Sequence, residues 1–284
     1  MGYFSVKLFQ LKREIAGFAL KVYDLQQPSF KGMPLHPTHK LIGYTYALHR
    51  KHHDTDLKMS RRSGASGVLI LTEHAGTHMD ALCHQALDYR LHGNVEVTNK
   101  IETSFGFSSL GIENVEPIVA RGVLLDVARL KGVDALSKFY RISSAELKEC
   151  CEESEIAPRP GDVVLVRTGY GRFWNDEPRY LEAGGVSLDG ARWLASIGVR
   201  AVGADNMGFE VDDGTVDMEM GIQLPCHIEL LVKNGINIME NVYLEQIAAE
   251  NIHEFFFVCA PLKLVGATGS PVRPLAISGV LLPS

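Results

Sequence analysis

The chain predicts a mixed α/β fold, on two observations. Short runs rich in β-branched residues recur along its whole length, and in the second half they alternate with capped helical stretches. Several runs are continuous rather than alternating, such as Val123-Leu124-Leu125 and Val163-Val164-Leu165-Val166, the pattern of strands covered on both faces. At 284 residues the chain can bury a substantial core. No linker, repeat or low-complexity tract divides it, so a single domain over 1–284 is expected.

Strands are expected at 21–25, 67–72, 122–127, 162–168, 199–203, 237–241, 255–259 and 272–280, mostly bounded by Gly, Pro or Asp. The greasy run 254–262 is one of these, too short to cross a membrane. Ser143-Ser144-Ala145-Glu146 reads as a capping box that opens a helix toward Glu155, which Pro158, Pro160 and Gly161 then stop. A second helix opens at Ser187, carries Ala191, Leu194, Ala195 and Ile197 on its apolar side, and closes at Gly198. A third begins at Leu224-Pro225 and ends at Gly235, with proline suited to a first helical position and glycine to the end. The stretch 28–62 is expected to be a long loop, and it carries His36, His39, His49, His52 and His53. A loop of that length usually has a function or makes an oligomer contact, so it reads as a lid or subunit contact.

Lys and Arg number 28 against 34 Asp and Glu, a formal net charge of -6. The most basic patch, Arg50-Lys51-His52-His53 with Lys58 and Arg61-Arg62, is interrupted by Asp54 and Asp56 and reads as a solvated loop. These features argue against a nucleic-acid partner, and the lack of any long apolar stretch argues against a membrane partner. Five cysteines, an odd number without a Cys-x-x-Cys pair, suit a reducing compartment. The first residues lack the sustained apolar core of a secretory leader, and a cytoplasmic location is expected.

The most concentrated chemistry lies in 74–84, read as one short loop after the strand at 67–72. It holds His74, His78, His84 and Asp80. Neutral imidazoles and carboxylates suit zinc, manganese or iron, and four such groups facing one point would repel or compete for protons without a cation. Gly76 lets the backbone turn back, Asp80 adds a carboxylate from the side of His78, and His84 reaches the rim. A closed structural zinc site usually recruits thiolates, and Cys83 is the only cysteine here.

This segment, His-x-Gly-Thr-His-x-Asp-x-x-x-His, with His74, Gly76, Thr77, His78, Asp80 and His84 at its fixed positions, resembles the signature of the cyclase-family metal-dependent hydrolases. Their best-known members are bacterial kynurenine formamidases and isatin hydrolases. Tyr23-Asp24-Leu25 with Pro28, Gly32-Met33-Pro34 and Pro37 is similar to the family's opening strand and proline-rich loop. The stretch from His227 to Glu240-Asn241 is similar to its second metal-binding element. Leu82 stands where the formamidases carry proline, and the spacing from His227 to Glu240 is one residue longer than in the family pattern.

The resemblance implies a central barrel-like mixed β-sheet flanked by helices and a homo-oligomer, dimer or tetramer. It implies one or two divalent metals per subunit, Zn or Mn. His74, His78 and Asp80 would hold the first, with Asp80 bridging to a second held by His227 and Glu240. His84 is the expected general acid/base, since an ordinary imidazole titrates at about 6.5. The implied substrate is a small-molecule amide, formamide or cyclic amide, with arylformamidase chemistry of tryptophan catabolism as one instance. A ring-closing or lactone-type activity on the same centre, or a non-catalytic metal- or ligand-binding module, are the alternatives.

Weaker candidates are Thr168-Gly169-Tyr170-Gly171 and Asp205-Asn206, both at strand ends. Phe105, Phe107, Phe173 and Trp174 suit core packing better than a pocket wall. No Gly-x-Ser-x-Gly nucleophile motif occurs, and Gly266-Ala267-Thr268-Gly269-Ser270 lacks the lysine of a phosphate-binding loop.

Overall fold

The computed structural model describes residues 12–15, 18–40, 42–54 and 61–279. Twelve strands matter for the site: β1 (Lys12–Ile15), β2 (Phe18–Asp24), β3 (Tyr44–Arg50), β4 (Ser66–Leu71), β5 (His78–Asp80), β6 (Ile118–Asp126), β7 (Val163–Arg167), β8 (Ala201–Ala204), β9 (Asn237–Glu240), β10 (Glu254–Cys259), β11 (Gly269–Pro271) and β12 (Leu275–Ser278). Ten of them form one sheet in the order β1-β2-β12-β10-β6-β7-β8-β9-β5-β11. Only β6 to β9 run parallel; all other neighbours are antiparallel. Parallel neighbours need crossovers. Helix α1 (Ser144–Ser154) lies between β6 and β7, α2 (Leu188–Ile197) between β7 and β8, and the helical turns Pro225–His227 and Ile228–Lys233 between β8 and β9.

The sheet curls. Gln26, just past β2, bridges to Val242, just past β9, and the Tyr243 amide donates to the Leu25 carbonyl at 2.8 Å. Strands at opposite ends of the order therefore meet at one rim, and the sheet is the barrel-like element expected, a half-barrel with free edges at β1 and β11.

The uninterrupted apolar run Val163-Val164-Leu165-Val166 is fully buried because side chains of alternating direction meet two separate cores. Leu165 joins Leu124, Met79, Met239 and Phe257 on one side, whereas Val164 and Val166 join Val123, Leu147, Leu194 and Leu230 under the helices. Burial of each such side chain is worth about 1.5–3 kcal/mol over exposure. The capping box forms as read: the Ser143 side chain accepts from the Glu146 amide, and the Glu146 carboxylate accepts from the Ser143 amide at 2.8 Å. Gly198 ends α2 with φ +80°, a conformation that costs glycine nothing.

Three expectations change. The stretch 28–62 is not all loop, since β3 lies within it and pairs antiparallel with β4. The strand expected at 67–72 forms as β4, in this separate hairpin outside the ten-stranded sheet. Tyr46, Leu48, Val68, Leu69 and Ile70 stand 45–56% exposed there. The strand expected at 272–280 is shorter, β12 at Leu275–Ser278, and starts just after Pro274, which has no N–H to donate; β11 at Gly269–Pro271 lies before the expected run, and residue 280 lies outside the described residues. The third helix has only one α-turn before it widens into a π-helix over Ile228–Lys233. Among the described residues no helix is long and apolar enough to cross a membrane.

Candidate metal centre

The middle of the histidine motif is a strand, not a loop. β5 pairs with β9 on one side and β11 on the other, and this long-range pairing settles its conformation. The two-residue repeat of a strand puts His78 and Asp80 on one face. Met79, between them, is fully buried in the opposite core beside Met239. The register sets Glu240 directly across from His78, so its carboxylate arrives on the same face.

His74 is brought back by the turn at Gly76, whose φ is +70°. The Gly76 carbonyl accepts from His78 Nδ1 at 2.8 Å and from Asn241 Nδ2 at 2.9 Å, which braces the turn. Gly269 on β11 makes room for the His74 ring, because a Cβ there would lie 2.7 Å from its Cε1. His227 enters from the last residue of the α-turn Pro225–His227.

These side chains converge. His74 Nδ1 lies 2.9 Å from Asp80 Oδ1, and His78 Nε2 lies 3.4 Å from the same oxygen and 3.5 Å from Glu240 Oε2. His227 Nε2 lies 3.2 Å from Glu240 Oε1 and 3.6 Å from Asp80 Oδ2. All five residues are buried. Asp80 Oδ2 has no hydrogen-bond partner, although a buried carboxylate oxygen left unpaired is costly. Ligand atoms of His74, His78 and Asp80 lie within 4.8 Å of one another, and so do those of Asp80, His84 and His227. The His-His-Asp cluster fits a divalent metal site, and its ligand types are those of zinc or manganese.

The protonation pattern shows the same demand for positive charge. Burial works against ionised Asp80, yet His84, His74 and His78 hold its carboxyl well below the usual range. Burial likewise opposes a charged His78, but the Asp80 hydrogen bond and the Glu240 carboxylate raise it to about 9. Burial opposes a charged His227 too, and Glu210 and Glu240 raise it well above its ordinary value.

His84 is half-buried beside the cluster, its ring centroid 4.1 Å from that of His74 and 6.1 Å from that of His227. The surrounding protein desolvates the ring and pushes it down to about 3, although Asp80 pulls the other way. The ring is therefore neutral at pH 7, rather than balanced near 6.5.

Glu210 at the centre escapes the sequence reading, and His39 stands in it only as part of the long loop. Glu210 accepts from His227 Nδ1 and from the His227 amide, each at 2.9 Å, and from the Cys226 amide at 3.0 Å. A carboxylate behind a histidine fixes which ring nitrogen points inward. His39 stacks on His74 with centroids 5.1 Å apart and planes 22° apart. Its segment is tied down by His36 to Asp212 at 2.7 Å and by the Leu35 amide to Glu177 at 3.2 Å. His49, His52 and His53 are exposed along the hairpin, away from the cluster.

The weaker candidates serve packing. Asp205 accepts from the Thr168 amide and hydroxyl at 2.7 Å and from the Gly169 amide at 2.8 Å, so these two strand ends hold each other. Phe107 packs on the main core and Phe173 and Trp174 on a smaller one with Met33 and Tyr180, whereas Phe105 is 95% exposed.

A curled mixed sheet with a buried histidine-carboxylate cluster at one end thus defines the type of protein. The chain belongs to the Cyclase family, whose profile, described as putative cyclase, matches residues 23–211. Over 209 residues it is 26% identical to the kynurenine formamidase of Delftia acidovorans, covering 72% of this chain and 77% of that one. Over 216 residues it is 26% identical to the isatin hydrolase of Roseibium aggregatum, covering 74% and 73%. The crystal structure of a novel cyclase superposes with a TM-score of 0.79 at 27% identity, covering 90% and 88% of the two chains.

Proposed function

We propose that this protein is a metal-dependent hydrolase that cleaves the C–N bond of a small amide, formamide or cyclic amide, in the manner of an arylformamidase or isatin hydrolase. The names of its relatives support the reaction class. The observation that carries the reading is Asp80, whose buried Oδ2 lacks a hydrogen-bond partner although its carboxylate clusters with the imidazoles of His74, His78, His84 and His227. In this reading His74, His78 and Asp80 would hold one Zn or Mn ion, and Asp80, His227 and Glu240 would hold a second. A divalent cation supplies a lowered water pKa of about 7 and polarises a carbonyl.

The chain's own part is proton handling and orientation. His84, neutral at pH 7, accepts a proton as water adds to the carbonyl carbon. It returns that proton to the nitrogen as the C–N bond breaks, a contribution typically worth ~10²–10⁴-fold in rate. Gly76 and Glu210 hold the rings of His78 and His227 so that Nε2 faces inward in each. The protein works as one domain in the cytoplasm, where its five free thiols stay reduced, and assembles into a homo-oligomer, a dimer or tetramer. The exposed apolar hairpin β3–β4 suits such an assembly, since patches of this kind mark interaction surfaces.

The test is chelation followed by reconstitution with Zn²⁺ or Mn²⁺, with N-formylkynurenine, isatin and a panel of cyclic imides as substrates. Hydrolysis lost on chelation and restored by metal is expected for at least one. Metal binding without hydrolysis of any would favour the binding module instead.

A further inference from the structure

We propose that Glu73 and Thr268 are positioning residues that decide which nitrogen His74 presents to the metal centre. The inference rests on the reading of His74 as a ligand given above. His74 Nε2 lies 2.8 Å from Thr268 Oγ1, on the side of the ring away from Asp80. The Thr268 hydroxyl also bonds to Glu73 Oε1, and the same carboxylate oxygen accepts from the Thr268 amide at 3.1 Å. The Thr268 carbonyl accepts from the Ala81 amide at 2.8 Å, which ties this loop to the end of β5 and fixes where the hydroxyl stands.

Proton counting gives the direction. A threonine hydroxyl has one proton, and a carboxylate can only accept. With that proton committed to Glu73, Thr268 Oγ1 can meet His74 Nε2 only as an acceptor. Nε2 therefore carries the proton of the neutral ring, and Nδ1 keeps its lone pair, facing Asp80 Oδ1 at 2.9 Å. His74 thus offers Nδ1, whereas His78 and His227 have Nδ1 occupied by Gly76 and Glu210 and offer Nε2. Without Glu73 the hydroxyl is free to donate to Nε2 instead. The ring proton then moves to Nδ1, bonds to Asp80, and occupies the lone pair a metal needs.

The Glu73–Thr268 pair lies at the half-buried mouth of the site, and Thr268 falls outside the segment matched by the family profile. Glu73 precedes the first motif histidine, whereas Thr268 is 194 residues from His74.

Zn²⁺ affinity measured by chelator competition on Thr268→Val, Thr268→Ser, Glu73→Ala and Glu73→Gln tests this, with thermal unfolding as a control for folding. Thr268→Val and Glu73→Ala are expected to weaken Zn²⁺ binding by about 10–100-fold. Thr268→Ser keeps the hydroxyl and Glu73→Gln keeps an acceptor oxygen, so both are expected to retain most of the affinity. Nitrogen-15 NMR of the zinc-loaded protein should show His74 coordinated through Nδ1 and His78 through Nε2. Unchanged affinity in Thr268→Val and Glu73→Ala, a Glu73→Gln defect as deep as that of Glu73→Ala, or coordination of His74 through Nε2 would each overturn the proposal. A wild-type protein that binds no Zn²⁺ would instead remove the metal-centre reading itself, so the two failures are distinguishable.

Discussion

Replacing Glu210 by glutamine isolates the hydrogen bonds behind His227 with little change in volume. The wild-type carboxylate is buried and accepts three bonds: Oε1 from His227 N and Nδ1, and Oε2 from the Cys226 amide. Glutamine has one acceptor oxygen and one NH₂ group. With its oxygen toward His227, the NH₂ faces the Cys226 N–H across a gap of 3.0 Å, donor against donor. That leaves one buried N–H unpaired, a cost of about 1–3 kcal/mol. The opposite orientation sets the NH₂ against both His227 donors and costs more. The ring of His227 is then free to turn or change tautomer, and loss of such an outer partner typically weakens metal binding about 10–100-fold. Chemical unfolding of the metal-free protein reads the first quantity, and Zn²⁺ competition on the same variant reads the second. A Glu210→Gln protein that unfolds at the wild-type denaturant concentration and binds Zn²⁺ as tightly as wild type would refute the reasoning.

Three further outcomes are expected. His84→Ala should keep its metal and lose most turnover, whereas His78→Ala should lose both, as read by metal analysis beside kinetics; full activity in His84→Ala would remove its assigned role. Glu146 gives a pH dependence: burial alone would raise it, but Lys131, Tyr140 and Ser143 hold it at about 2. A carboxyl held low stabilises the fold above its unfolded value of about 4.3, and that stability is lost as pH falls toward 2. Acid unfolding of Glu146→Gln should therefore be flatter across that window, and an unchanged profile would contradict the assignment. Finally, Leu69 faces Tyr46 across the hairpin, both about half exposed. Leu69→Glu should shift the oligomer toward smaller species in light scattering while leaving metal content unchanged; a wild-type monomer would remove the oligomer reading.

The amino-acid sequence alone determined what depends on neighbours along the chain. The capping box at Ser143 and Glu146 and the helix stop at Gly198 are local hydrogen-bond and φ requirements, so they read directly. The run Val163–Val166 reads as a strand covered on both faces because its side chains alternate in direction and both sets are apolar, and it is so covered, whereas the equally apolar Val68–Ile70 stands half exposed on the hairpin. His74, His78, Asp80 and His84 stood out because residues of one chemistry were crowded into eleven positions. His227 and Glu240 came only from resemblance, since they lie thirteen positions apart on a helix and a strand and nothing local marks either one.

Tertiary structure decided the rest. The motif centre became a strand only because β9 and β11 flank it, and that pairing is what puts His78, Asp80 and Glu240 on one face. Glu210 and Thr268 reach the histidines from distant loops, 17 and 194 residues away along the chain. A lone acid or hydroxyl in a loop has no periodicity to betray it. Its role exists only once folding brings a donor within 3 Å, and that distance is a property of the curled sheet rather than of any segment.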